Sequence, residues 1–222
     1  QGSQYVGMAA QLYQQQAVFR ESLDRICGIL SAHLELPLLS VMWGDHSHLL
    51  HETRYTQPAI FAIQIALSDW WKALGVVPSG VVGHSIGEYA AAVCAGVLNV
   101  NDAARLICAR GHLMQTLCQP GAMAVVYAPA ADTQRHMQQA GSNVSIAAIN
   151  GPGHCVISGE KHAVQEMQAV LADARIRTRA LEVSHAFHSA MMEPMLDAFR
   201  DIADSVTFQI PRIRFISSKT GQ

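Results

Sequence analysis

Apolar residues recur at helical spacing over residues 59–74, where Ile60, Ile63, Leu67, Trp70, Trp71 and Leu74 mark one helix. Ahead of it a helical pattern covers about residues 4–32, and the polar stretch "GDHSHLLHETRYTQP" at 44–58 predicts a loop. "GVVPSGVVGHS" predicts a short buried strand behind a Pro/Gly turn, and "IGEYAAAVCAGVL" predicts a helix. Strand, tight turn and helix in that order point to a parallel α/β core. The pattern changes near Gly121. "AMAVVYA" reads as a strand, "AADTQRHMQQAG" as a helix, and "SIAAIN" with "HCVISG" as strands around a turn at Asn150 to Pro152. A helix in "EKHAVQEMQAVLADA" and a strand in "RTRALEV" complete a βαββαβ order over 121–184, which is ferredoxin-like. Residues 1–120 and 185–222 are thus expected to form an α/β core, with 121–184 inserted as a smaller subdomain.

Composition narrows this only a little. Of 222 residues half are hydrophobic and 14% charged, as in a compact globular chain. The net charge of −2, with a pI near 6.6, gives no electrostatic reason to expect nucleic acid as a partner. Cys27, Cys94, Cys108, Cys118 and Cys155 are scattered and lack CxxC spacing, so they read as reduced thiols of a cytoplasmic protein. No apolar run reaches the ~18–20 residues of a membrane span, so no membrane partner is expected. His46, His48 and His51 form an H-x-H-x-x-H stretch, but without a nearby cysteine they read as solvated loop histidines, and no metal is expected.

Candidate chemistry starts at Gly83-His84-Ser85-Ile86-Gly87, a G-x-S-x-G sequence between a predicted strand and a predicted helix. That is the context of a nucleophile elbow, and it makes the core hydrolase-like. The turn exposes the Ser85 hydroxyl at a helix N-terminus, where free N–H groups favour a developing oxyanion and the Ile86 N–H is the natural first donor. A serine needs a base. His185 and His188, in "EVSHAFHSAMMEPML", lie where the small subdomain returns to the core; they are either that base or incidental members of a helix-capping turn. Arg110 shares a helical face with Leu106, Ile107, Leu113, Met114 and Leu117, so its cation points inward. It is then a buried ion pair, a snorkelling stem, or a fork that grips a substrate carboxylate.

Together these residues resemble the malonyl-CoA:acyl carrier protein transacylase family, which includes the acyltransferase domains of type I polyketide and fatty-acid synthases. The matching segments run in order along nearly the whole chain: "QGSQYVGM", "ETRYTQPAIFA", "GHSIGEYAAAVCAGVL", "RGHLMQ", "AAINGPGHCVISG", "HAFHSAMMEPML" and "ISSKTG". The resemblance implies that Ser85 is the acylated serine and His188 the general base. It implies that Arg110 pairs with the free carboxylate of the acyl unit, and that the Gln1 backbone N–H completes the oxyanion hole with that of Ile86. His185, Phe187, Gln57 and His84 fall at substrate-binding positions. The "HAFH" form is similar to that of malonyl-selective members, where Phe187 crowds the α-carbon; methylmalonyl-selective relatives typically carry a smaller serine.

The implied reaction is transfer of malonyl from CoA to the phosphopantetheine thiol of an acyl carrier protein. The domain itself would bind no cofactor, and neighbouring domains of a multidomain synthase are expected partners. The resemblance also implies a strand and a "PG" turn ahead of Gln1, and beyond Gln222 a core segment that orients the histidine. Two other readings remain at this level. One is a serine hydrolase acting on thioesters, including a proofreading acyl hydrolase, with Asp132, Asp173 or Glu182 as its acid. The other is a non-catalytic docking domain.

Overall fold

The computed structural model describes residues 2–222. The chain divides into two compact units, a larger one of Ser3–Gln115 and Ala198–Gln222 and a smaller one of Thr116–Asp197. The "HAFH" segment, assigned to the core from sequence, therefore lies in the smaller unit.

In the larger unit the helix expected over 4–32 is two helices, α1 (Ala10–Gln15) and α2 (Ala17–Leu30). Gln16 is extended between them, at φ −119° and ψ 104°. The periodicity belongs to α2, whose Phe19, Leu23, Ile26 and Leu30 are fully buried, whereas α1 buries no residue. A short α3 (Leu38–Trp43) follows Pro37.

Next, α4 runs from Thr53 to Ala73, six residues earlier than the hydrophobic pattern suggests. The polar "TRYTQP" is its first turn and a half, not loop. Pro58, inside the helix, lacks the N–H that would reach back one turn. Burial of Tyr55, Thr56, Gln57 and Pro58 outweighs that loss, and Thr56 Oγ1 donates to the Leu50 carbonyl at 2.6 Å.

The chain continues through β1 (Gly80–Val82), α5 (Gly87–Ala95) and α6 (Val100–Leu117). It returns to this unit after the smaller one as α9 (Leu196–Asp204) and β6 (Arg214–Ile216). β1 pairs in parallel with β6, Val81 opposite Phe215. The strand is shorter and less buried than its sequence suggests, since Val82 is 64% exposed. The helix C-terminus at Gly96 (φ 77°) closes with Val97 N–H donating to Ala92 O and Gly96 N–H to Val93 O, a Schellman motif.

The smaller unit contains β2 (Ala122–Val126), α7 (Ala130–Gln139), β3 (Ser145–Gly151), β4 (His154–Gly159), α8 (Lys161–Asp173) and β5 (Thr178–Ala180). Its sheet order is β3-β4-β2-β5 with every neighbouring pair antiparallel, the ferredoxin-like arrangement. The β3–β4 turn is Pro152-Gly153, because strand pairing continues to Gly151 opposite His154. Proline at the first central position and glycine at the second fit a tight turn better than the Asn150–Pro152 placement expected from sequence. Alternate residues of this sheet, Ala124, Val126, Cys155 and Ile157, join Val164, Met167 and Leu171 of α8 in one core.

Candidate active site

The nucleophile elbow is built by one steric demand. A Cβ on Gly83 would lie 2.2 Å from the Glu88 N and 2.3 Å from the Gly87 carbonyl carbon, so only glycine lets the strand end pass under the helix start. Gly87 is different: its added Cβ would meet only Gln64 Nε2, at an ordinary 3.5 Å. Of the two glycines that flank the serine, sterics demand only Gly83.

Between them Ser85 takes φ 54°, a left-handed conformation rare for a residue with a side chain. Gly87 N–H donates to His84 O at 3.0 Å and Glu88 N–H to Ser85 O at 3.1 Å, and α5 begins there. Ile86 is buried, and among the described residues its N–H enters no backbone hydrogen bond. It is thus a donor at the positive end of a helix dipole. Gln1, the second expected donor, lies outside the described residues. His84 is exposed beside the serine. Glu88 in the first turn of α5 accepts from Ser218 N and Oγ at 2.9 and 2.7 Å, which ties "ISSKTG" to the elbow helix.

Arg110 is buried on α6, 9% exposed, as the face analysis expects; Leu117 of that face is exposed instead. Its one hydrogen bond runs from Nη1 to Gln57 Oε1 at 2.5 Å, and it pairs with no carboxylate among the described residues. Burial lowers its pKa, opposed by the nearby Tyr89 and Glu88. A guanidinium carries five N–H donors, and only Nη1 meets a protein acceptor among the described residues. Gln57 is itself fully buried and fixed, donating from Nε2 to Thr53 Oγ1 at 2.8 Å and to Met114 Sδ at 3.3 Å.

Close contact of α6 with the first turn of α4 makes this pairing possible. A Cβ on Gly111 would lie 2.8 Å from Thr53 O and 3.1 Å from Arg54 Cα, and Gln115 Oε1 accepts from Thr53 N at 2.9 Å. Thr53 lies in a polar stretch that reads as loop, so its helical position is not evident from sequence. Gly111, a glycine inside a helical pattern, was the available signal of close packing.

In the smaller unit, His185 and Phe187 are buried and His188 is exposed. The segment is held against Gly121, where a Cβ would fall 2.6 Å from Ala186 Cβ and whose N–H donates to Ser184 O at 3.2 Å. Ser184 Oγ lies 2.8 Å from His185 Nδ1, and burial lowers the His185 pKa, offset by a hydrogen bond to the Cys118 backbone. His188 takes φ 59°. Next to it Ser189 caps a 3-10 turn, accepting from Met191 N at 3.3 Å.

Of the acids considered for a hydrolase, Asp132 is engaged by Arg135 at 2.8 Å, and Asp173 and Glu182 are exposed. Among the described residues no cluster of His, Cys, Asp or Glu has the makings of a metal site, and no helix is long and apolar enough to cross a membrane. All five cysteines are free thiols, and burial pushes those of Cys27 and Cys108 up to about 12.

A family model described as "Acyl transferase domain" matches residues 1–222. The chain belongs to the acyl transferase domain family. It is 45% identical over 222 residues to a type I phenolphthiocerol synthesis polyketide synthase of Mycobacterium marinum, covering all of this chain and 10% of that protein. Among solved structures it is similar to the acyltransferase domain of the second salinomycin polyketide synthase module, with TM-score 0.92 and 44% identity. That match covers all of this chain and 52% of the other. It is also similar to a chain in the structure of a type II polyketide synthase acyl carrier protein in complex with its malonyl-transacylase. There the TM-score is 0.86 and the identity 33%, over 97% of this chain and 71% of that one. The acyl transferase fold, a parallel α/β part with an antiparallel subdomain, is the one expected from sequence.

Proposed function

We propose that this acyl transferase domain moves a malonyl unit from CoA to the phosphopantetheine thiol of an acyl carrier protein, through a malonyl-Ser85 ester. The observation that carries this reading is Arg110, a buried cation with one neutral hydrogen-bond partner and no carboxylate among the described residues. A guanidinium in that state is costly to bury, and the cost is met when a ligand carboxylate takes the fork. An acyl unit with a free carboxylate supplies that charge; acetyl does not.

In this reading His188 accepts the Ser85 Oγ proton as Oγ bonds to the thioester carbonyl carbon. The Ile86 and Gln1 amides hold the oxyanion. The C–S bond then breaks, sulfur leaves as the CoA thiol with the proton from His188, and the ester remains. The carrier thiol repeats the sequence in reverse, losing its proton to His188 and releasing Ser85. Phe187 disfavours a methyl on the α-carbon, a preference of about 1–3 kcal/mol. The relative solved with its carrier protein supports the acceptor. The small share of the curated relative that this chain spans supports work within a multidomain synthase.

The test is intact mass after incubation with malonyl-CoA. The wild-type domain is expected to gain one malonyl increment and Ser85→Ala none; a labelled Ser85→Ala sinks the nucleophile assignment. In the same assay Arg110→Ala is expected to lose malonyl acylation by about 100-fold in kcat/KM, as removal of two charge-assisted hydrogen bonds implies. Acetyl acylation is expected to be spared or improved. Equal loss on both substrates contradicts the carboxylate role.

A further inference from the structure

Glutamine can present either its oxygen or its nitrogen to a neighbour, and only the oxygen attracts a guanidinium. At Gln57 the donor-only guanidinium of Arg110 takes the oxygen, and the partners on the other side hold the nitrogen. Nε2 donates to Thr53 Oγ1 at 2.8 Å and to Met114 Sδ at 3.3 Å, which leaves Oε1 for Arg110 Nη1. Sulfur is a weak acceptor, so the Thr53 hydroxyl is the stronger of the two partners that hold Nε2. Thr53 is itself held, fully buried in the first turn of α4, by Gln115 Oε1 on its N–H and by the glycine-sized gap at Gly111 over its carbonyl. The chain Gln115–Thr53–Gln57–Arg110 crosses from α6 to α4 and back.

We propose that Thr53 is a positioning residue for acyl selectivity: its hydroxyl fixes the Gln57 amide so that Gln57 Oε1 aims the Arg110 guanidinium for a carboxylate-bearing acyl unit. Without the hydroxyl Nε2 loses its stronger partner, the Gln57 amide is no longer held at both ends, and the fork it steers loses its direction although Arg110 and Gln57 are both present. The effect is confined to acyl units with a free carboxylate, because only they use the fork. The proposal rests on the reading of Arg110 given above.

The experiment measures Ser85 acylation by malonyl-CoA and acetyl-CoA in the domain carrying Thr53→Val, Thr53→Ser or Arg110→Ala. The malonyl-to-acetyl ratio of kcat/KM within one preparation is independent of how much of that preparation is folded. Thr53→Val is expected to lower the ratio about 5-fold, the size of one lost hydrogen bond, with the change mainly in the malonyl KM. Thr53→Ser keeps the hydroxyl and is expected to restore it. A ratio unchanged in Thr53→Val while Arg110→Ala loses it overturns the role of Thr53 and leaves that of Arg110 standing. An equal fall in Thr53→Ser and Thr53→Val also overturns it, since the hydroxyl is then not the cause. A ratio unchanged in Arg110→Ala overturns the parent reading, and this one with it.

Discussion

Among the described residues, four other than glycine hold a left-handed backbone: Ala9, Ser85, Arg175 and His188. Arg175 is accounted for by its place one residue past the cap of α8. Its N–H donates to Ala172 O and that of Ile176 to Leu171 O, a Schellman ending in which the conformation is needed to satisfy helix carbonyls. Ser85 and His188 have no such helix to end. Each carries a cost of order 1–3 kcal/mol, and such strain persists where the surroundings impose it, often at reacting groups. Gly83 beneath the elbow and Gly121 against the "HAFH" segment are those impositions.

His185 makes the residue-scale prediction. Burial disfavours its charged form, so its folded pKa lies below the ordinary 6.5, and the unfolded chain binds the extra proton first. Its contribution to stability is therefore complete above about pH 6.5 and is lost as pH falls from there through the folded pKa. Urea midpoints measured between pH 5 and 8 should fall on the acid side, and His185→Phe should flatten that slope. An unchanged slope would show that another group carries it.

At the scale of elements, the same motif contains two glycines with opposite requirements. Gly83→Ala places a methyl inside backbone atoms that cannot give way, and is expected to prevent a native elbow, with loss of at least ~3 kcal/mol or of folding. Gly87→Ala meets only the Gln64 amide at an ordinary distance, in a helix where alanine is favoured over glycine by about 0.5–1 kcal/mol. It is expected to leave the melting temperature equal or higher; a collapse equal to that of Gly83→Ala would refute the steric account.

The elements also show where sequence was readable. The elbow and the inward face of α6 followed from spacing, because a tight turn and a helix write their demands locally. The start of α4 did not. Thr53, Arg54, Thr56 and Gln57 look like loop residues, and their helical state depends on burial against distant parts of the chain. So the serine was legible and the partner of the arginine's oxygen anchor was not.

For the whole molecule, the smaller unit was readable almost strand by strand, since its βαββαβ segments are consecutive and its sheet neighbours are close in sequence. In the larger unit β1 meets β6 across more than a hundred residues, and Glu88 meets Ser218 likewise, so no local pattern announces either. Each unit fills its own core. Phe61 and Leu23 are fully buried in the larger, Leu171 and Ile157 in the smaller. All three tryptophans, Trp43, Trp70 and Trp71, belong to the larger unit, so fluorescence reports on that unit alone. Phe61→Ala is expected to cost about 3–5 kcal/mol and to lower the urea midpoint read by tryptophan. Leu171→Ala removes a side chain packed under β2 and β4 and should cost about 2–5 kcal/mol there. Hydrogen exchange at the Ala124, Val126 and Ile157 amides, which lie in those paired strands, is the matching measurement. If those amides keep their wild-type protection in Leu171→Ala, the core assigned to the smaller unit does not hold its sheet together.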